Sequence, residues 1–567
     1  MTLPRGEVER RRPRLPGWRS LVLWVAVLAQ GAVALRLGDR GWFSGDLIRY
    51  YVERGGAPGG SESLMEPHAA HWQLSLVLVY LLMFSLFGLT SYLPYLALTV
   101  LVHLALVLVM HRLLLRLGAG RTTSMFAAIA LLTFGAGSEA FLVEAPVALT
   151  SSLLLGAVAT LVLVRRDHDR RGTMVAGALL LVGVTISLGG VVAAVWVGVF
   201  ASSRGLRHMA RVVAVPAVAF LGWYAVWGRG SSRILLSSQE VLDIPQATAT
   251  LLGQSLDNLT GDWGAGPALL FAIVAATVLG GRRHPGLVQL SVGGLVAATF
   301  HAVVSAVAQL PYGIDQVTTS RYQYVVLVLL IPGVVLVLDL VTEAASASLD
   351  RTHRPAALVA VVAVGCLLVL HAASGQHEVA QRLEYVGGVT RDQLSGAMVA
   401  TAAGEKLLND SVPGSYISGN DLVRLAEPDV RSELPDLDPS EQDRLDAESR
   451  YFVSVREQEL ELAPPAEVDS DSFAPRVAPR PGCRTYTALN GTPTLVMTSY
   501  LGAGLRFRGE AGKVTTTLSR PDDARTADSI EWRASPGEWT YVATTAQLAE
   551  LAITFDSGGT YTLCFGS

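Results

Sequence analysis

A chain of 567 residues that is 51% hydrophobic and 16% charged, with a mean hydropathy of +0.41, is too apolar for a soluble globule and reads as a multispan membrane protein with some soluble mass. Its net charge of −4 conceals an uneven distribution, with arginines in short loops and acids across 420–475. No basic segment laced with aromatic residues occurs in the soluble part, which argues against a nucleic-acid partner.

The N-terminal tail, residues 1–17 (MTLPRGEVERRRPRLPG), is arginine-rich and precedes the apolar run 18–35. That run reads as an uncleaved signal anchor; a cleavable signal peptide, suggested by the small residues of AVLAQGAVA, is the alternative. In both cases the next loop, 36–72, lies outside. It carries Asp46, Arg49, Tyr50, Glu66, His68, His71 and Trp72. Ionisable groups cost about 2.5–3.5 kcal/mol each at the centre of a membrane helix, so a crowd of them against apolar spans marks a working site.

Further apolar runs near 93–113, 122–139, 145–164, 208–227, 267–280, 287–308, 323–343 and 355–372 approach the roughly 20 residues that a span needs. Two regions are ambiguous: 72–90 is apolar, and 173–201 is too long for one span but contains SLGG at 187–190. The positive-inside rule arbitrates. If 72–90 crosses, Arg112, Arg116 and Arg121 face outward, together with RRDHDRR at 165–171. If instead 72–90 is interfacial or re-entrant and 173–201 splits at Gly189–Gly190, those arginines fall inside. So do Arg204, Arg207, Arg211, Arg282, Arg283, Arg351 and Arg354. The expectation is eleven spans between 18 and 372, with the N-terminus inside and 373–567 on the side of the first loop.

The C-terminal part reads as two pieces. Residues 373–475 mix short helical patterns such as DQLSGAMVATAAGEKLL with an acidic, proline-punctuated stretch. Residues 476–567 alternate apolar and polar positions between turn residues, the pattern of an all-β sandwich or jelly roll. Of the three cysteines, Cys366 sits in the apolar run AALVAVVAVGCLLVL as a small core or lipid-facing residue. Cys483 and Cys564 bracket the β segment. A pair closing one compact domain suggests a disulfide and an oxidising, outer compartment; two unrelated free thiols are the alternative.

On the deduced outer face Asp46 follows Trp42–Phe43, and His68 and His71 are three apart, which on a helix puts them on one face. Glu139 and Glu144 occur in the short loop GSEAFLVEAPV, and Arg321 and Tyr322, in TTSRYQY, open a span. Paired carboxylates with cationic groups suit glycosyl transfer from a lipid phosphate. One carboxylate takes the proton of the attacking hydroxyl, and Arg, His or a metal meets the charge growing on the departing phosphate. The inner loops are too short for a nucleotide-sugar domain, which favours a lipid-linked donor.

Here the chain resembles the GT-C superfamily of polyprenyl-phosphate-sugar-dependent glycosyltransferases, which includes protein O-mannosyltransferases, aminoarabinose transferases and arabinosyltransferases. Asp46-Leu-Ile-Arg49-Tyr50 is similar to the family's first-loop Asp-Glu stretch with its nearby Tyr. Glu66-Pro67-His68-Ala-Ala-His71-Trp72 is similar to its Lys-Pro or His-Pro stretch before an aromatic, and Leu142-Val143-Glu144-Ala145-Pro146 to its second-loop Asp-Pro. The resemblance covers about residues 15–345. It implies a membrane transferase of the cell envelope moving a sugar from a polyprenyl phosphate to an outer glycan, lipid or protein. Asp46 and Glu144 would be its catalytic carboxylates, and Arg49, Tyr50, His68, His71, Arg321 and Tyr322 its substrate and lipid-phosphate ligands. Leu47 replaces the family's second acid, which leaves a divalent cation an open question.

Each of these residues has a plainer use. Asp46 could be a helix cap, the histidines interfacial anchors beside Trp72, the glutamates solvated span ends, and Arg321 a snorkelling cation. Asp262 and Trp263 are weaker candidates for an acceptor groove. Two rival classes also stand: a lipid or glycan transporter, and a non-catalytic glycan-binding scaffold. The acids cluster in loops rather than within spans, and no pair of broken-helix halves is visible, which disfavours the transporter.

Overall fold

The computed structural model describes residues 18–39, 41–55, 63–68, 71–230, 236, 238–260 and 264–348, isolated positions between 366 and 430, and strand backbone between 454 and 565. In chain order the helices are α1 (Trp18–Gly38), α2 (Gly45–Glu53), α3 (Leu74–Phe87), α4 (Leu93–Arg116), α5 (Arg121–Leu132), α6 (Glu139–Leu142), α7 (Val147–Arg165) and α8 (Arg170–Val184). They continue with α9 (Gly189–Ser202), α10 (Leu206–Val226), α11 (Ser238–Thr260), α12 (Gly266–Leu279), α13 (Pro285–Gln309), α14 (Ile314–Val317) and α15 (Ser320–Ser348). Six of them, α1, α4, α7, α10, α13 and α15, are long and apolar enough to cross a membrane, and α3, α5, α9 and α12 are shorter apolar helices. The described part of the chain is that of a helical membrane protein. It falls into two compact units: Met1–Gly41, Ser63–Val79 and Leu93–Glu384 form one, and Trp42–Glu62, Tyr80–Tyr92 and Tyr385–Ser567 the other.

In the first unit the helices run back and forth between two ends, as their terminal contacts reveal. At one end a Cβ on Gly38 would meet Leu96 and the Leu142 carbonyl, which brings together the end of α1, the start of α4 and α6. At this end Ser187 Oγ donates to Ala148 O (3.3 Å), Ser75 N to Thr185 O (2.9 Å) and Glu139 N to Ser320 Oγ (3.2 Å). Trp223 Nε1, near the end of α10, donates to Met65 O at 2.7 Å. At the opposite end Asp339 accepts from Gly120 N (3.0 Å) and Thr123 Oγ1 (2.6 Å), and His284 meets Glu343 at 2.9 Å. Arg204 pairs there with Asp167 at 2.6 Å. Gln376 accepts from Gln30 Nε2 (3.1 Å) and donates to Thr133 O (2.8 Å), which ties it to the middle of α1 and the end of α5. The start of α3 and the start of α4 lie at that same first end.

Lipid is as apolar as leucine, so helices associate in a membrane by close packing rather than by a hydrophobic drive. Small residues supply the close approaches here. A Cβ on Gly190 would fall 2.1 Å from the Gly183 backbone, and one on Gly294 would fall 2.0 Å from Leu329 O. Around the first of these crossings, Ala159, Leu163, Ala176, Leu180, Ala193, Val197, Ala201 and Val212 form a buried cluster drawn from α7, α8, α9 and α10.

Three local outcomes differ from, or refine, what apolar runs suggest. Residues 173–201 form two helices, α8 and α9, the second beginning at Gly189. The run 122–139 is broken, because α5 stops at Leu132 and a short turn at Gly135–Gly137 leads into α6. Helix α11 was not expected from hydropathy. Its buried positions Ala247, Leu251, Leu252, Ser255, Leu256 and Leu259 follow helical spacing, while Glu240, Asp243 and Asp257 hold its average down. The expected span 355–372 lies, apart from isolated positions, outside the described residues.

In the second unit, α2 starts at Ser44, whose Oγ accepts from Leu47 N (3.3 Å) as an N-cap. Its strands are β1 (Ser454–Glu457), β2 (Gly482–Ala488), β3 (Thr494–Ser499), β4 (Gly504–Arg508), β5 (Gly512–Arg520), β6 (Asp523–Ala534), β7 (Thr540–Ala543), β8 (Ala549–Phe555) and β9 (Gly559–Phe565). They pair in the orders β1-β7-β4-β9-β2 and β3-β8-β5-β6, each strand antiparallel to its neighbours. The β2–β9 register sets the backbone of Cys483 opposite that of Cys564.

Candidate functional site

The sequence candidates divide between the two units. Asp46, Arg49 and Tyr50 belong to the second, on α2. Because Ser44 is the cap, Asp46 is not needed in that role; it occupies the first turn, where the helix dipole favours its negative charge. One turn on, Arg49 donates through Nε and Nη2 to Glu53 Oε1 (3.0 and 2.8 Å), an i,i+4 pair that holds the guanidinium along the helix. Tyr50 is buried and stacks on Tyr80 at 5.6 Å, while Tyr51 packs edge-on against Phe84. The Tyr50 ring therefore contributes to the packing of this unit.

His68 and His71 do not lie on a helix. Each backbone N–H donates to the other's carbonyl, at 3.0 and 2.8 Å, so they face each other across a tight antiparallel bridge. Directly opposed residues of such a bridge still share a face. Next to them Trp72 stacks flat on Trp223, with centroids 5.5 Å apart and an interplanar angle of 2°. Among the described residues no group of three or more His, Cys, Asp or Glu side chains could hold a metal ion.

The first unit brings Glu139 and Arg321 together. They form an ion pair of 3.4 Å at the start of α15, beside the bond from Glu139 N to Ser320 Oγ. The guanidinium also lies over the Tyr322 ring, 5.2 Å from its centroid. Tyr322 in turn accepts from Gln309 Nε2 at 3.1 Å, and its ring meets His301 edge-on. Glu144 is fully buried in the turn between α6 and α7, where its carbonyl accepts from Val147 N. Asp262 and Trp263 lie outside the described residues.

One turn into α15, Tyr324 braces this region. His103 Nε2 lies 3.2 Å from Leu132 O, and a carbonyl only accepts, so Nε2 carries the proton. Nδ1 then accepts from Tyr324 Oη at 2.7 Å, and the imidazole stacks on Phe141 of α6. His103 and His301 were readable as rare ionisable residues inside apolar runs. Ser320, Gln309 and Trp223 gave no such signal. No family model, curated protein or solved structure matches this chain.

Proposed function

We propose that this protein is an integral membrane glycosyltransferase that moves a sugar from a polyprenyl-phosphate donor to an outer glycan, lipid or protein acceptor. The observation that carries the reading is the Glu139–Arg321 ion pair with buried Glu144 in the adjoining turn, at helix ends of an otherwise apolar bundle. A guanidinium there suits a phosphate, which it can engage with charge-assisted hydrogen bonds. A buried carboxylate such as Glu144 at a membrane edge is costly enough to need a use.

In the reaction, Asp46 takes the proton of the acceptor hydroxyl, whose oxygen attacks the anomeric carbon. The bond from that carbon to the phosphate oxygen breaks, and the lipid phosphate leaves with the electron pair. Within the first unit, Arg321 offsets the charge it gains, Glu144 is the second carboxylate, and His68, His71 and Tyr322 meet the substrates; in the second unit, Arg49 and Tyr50 are the further ligands that the first-loop resemblance implies. A divalent cation is compatible with this scheme but not required by it.

The bundle end that carries the ion pair is taken as the outer one, because the opposite end gathers Arg116, Arg121, Arg165, Arg166, Arg170, Arg171, Arg204 and Arg283. Eleven crossings then leave the strands of 454–565 outside, as a β-sandwich domain suited to glycan contact. The reading is tested by purified protein in nanodiscs with a labelled polyprenyl-phosphate sugar. Transfer to acceptor with donor consumption supports it. Translocation of intact donor would mark a transporter, and glycan binding without turnover a scaffold.

A further inference from the structure

At the arginine-rich end of the first unit, a loop and the first turn of a helix are joined by a pair of histidines. His168 lies between α7 and α8, and His208 opens α10. His168 Nδ1 and His208 Nε2 are 2.9 Å apart, a hydrogen bond between two imidazoles. The loop around His168 is built to present it. Asp167 and His168 take left-handed backbone angles (φ 43° and 59°), His168 N donates to Leu163 O (2.9 Å), and Asp169 caps α8 through Gly172 N. The His168 ring stacks on Phe200 of α9, and Asp167 binds Arg204 in the loop before α10.

We infer that His168 and His208 form a proton-operated clasp between the α7–α8 loop and the first turn of α10, closed when the pair shares one bridging proton and opened when both rings become imidazolium. Proton accounting sets the rule. With the rings neutral, one contact nitrogen donates and the other accepts. A first added proton goes to an outer ring nitrogen and leaves the bridge intact. A second puts N–H on both contact nitrogens, so the bond is lost and two cations face each other.

The surroundings oppose that second proton. Arg204 acts on both rings and Arg211 on His208, while Asp167 alone counters them at His168. Burial first, then His208 and Arg204, hold His168 below the ordinary histidine range. Opening therefore takes up a proton, and is favoured as pH falls below the ordinary value of about 6.5.

The clasp also concerns the far end of the molecule. Helix α10 carries His208 near one end and, near the other, Trp223, which stacks on Trp72 and bonds Met65. This inference does not depend on the transferase reading, and its test reads no activity.

The experiment is hydrogen exchange of the full-length protein in nanodiscs between pH 7.5 and 5, corrected for intrinsic rates, with His208→Gln in parallel. Glutamine can accept from a protonated His168, so the bridge survives acid. In the wild type, opening of segments 165–169 and 203–208 should rise up to about tenfold per pH unit below about 6.5 for each proton taken up. The His208→Gln protein should lose that dependence. Should His208→Gln fail to fold, a histidine NMR titration of the wild type decides: two coupled steps, the second depressed, are expected. Superimposable exchange profiles, or two independent titrations at the ordinary value, would overturn the clasp.

Discussion

Gly190 is where the packing of the first unit can be tested most sharply. A methyl group there would sit 2.1 Å from both C and O of Gly183 and 2.4 Å from Val184 N. Non-bonded carbons settle at about 3.5–4.0 Å, so α8 and α9 must separate by more than about 1 Å. All three clashing atoms are backbone, and no side chain can swing aside. Overpacking of this kind costs about 1–3 kcal/mol, while replacing glycine by alanine inside a helix returns at most about 1 kcal/mol. Gly190→Ala should therefore lose about 1–2 kcal/mol. Gly222→Ala in α10, where nothing lies within 4 Å, should be neutral or slightly stabilised. Thermal unfolding of both variants in nanodiscs, followed by tryptophan fluorescence, compares them directly. If Gly190→Ala melted at or above Gly222→Ala, the close α8–α9 crossing would be wrong.

Three further outcomes follow. Cys483 and Cys564, opposed across β2 and β9, should be found as a disulfide by non-reducing peptide mapping, closing a loop of about eighty residues and contributing roughly 4 kcal/mol in the chain-entropy model; two free thiols would remove it. Cysteines engineered near 60, 315 and 450 should label from outside and those near 168 and 283 should not, and outside labelling at 168 would sink the proposed orientation. Arg321→Ala should weaken binding of the polyprenyl-phosphate sugar by about 1.5–3 kcal/mol, the worth of a hydrogen bond to a charged group, in a direct donor-binding assay; unchanged affinity would free Arg321 of the assigned role.

Much of the helical part was legible because lipid imposes a plain rule, an apolar run for each helix. Charge parity added a further break: it split 173–201 at Gly189–Gly190, and α9 does begin at Gly189. The rule fails where a helix is amphipathic or an apolar run is broken. Acids diluted the hydropathy of α11, and the break after Thr133 within 122–139 was missed although Gly135 and Gly137 stand at it. The candidate site was legible only as residue types. Spacing suggested a helical His68–His71 pair, but the two pair backbone to backbone as an antiparallel bridge, which the same spacing also allows. The partnership of Glu139 with Arg321 links residues 182 positions apart, which no local pattern encodes.

Transfer by the Asp46→Asn protein tests the central claim most directly. Asparagine keeps the size of the side chain and leaves the Ser44 cap in place, but cannot take a proton. In nanodiscs with labelled polyprenyl-phosphate sugar, the rate should fall about 10²–10⁴-fold, the range for losing a positioned acid–base group, while donor affinity stays unchanged. Turnover equal to the wild type would contradict the assignment of Asp46 as the base.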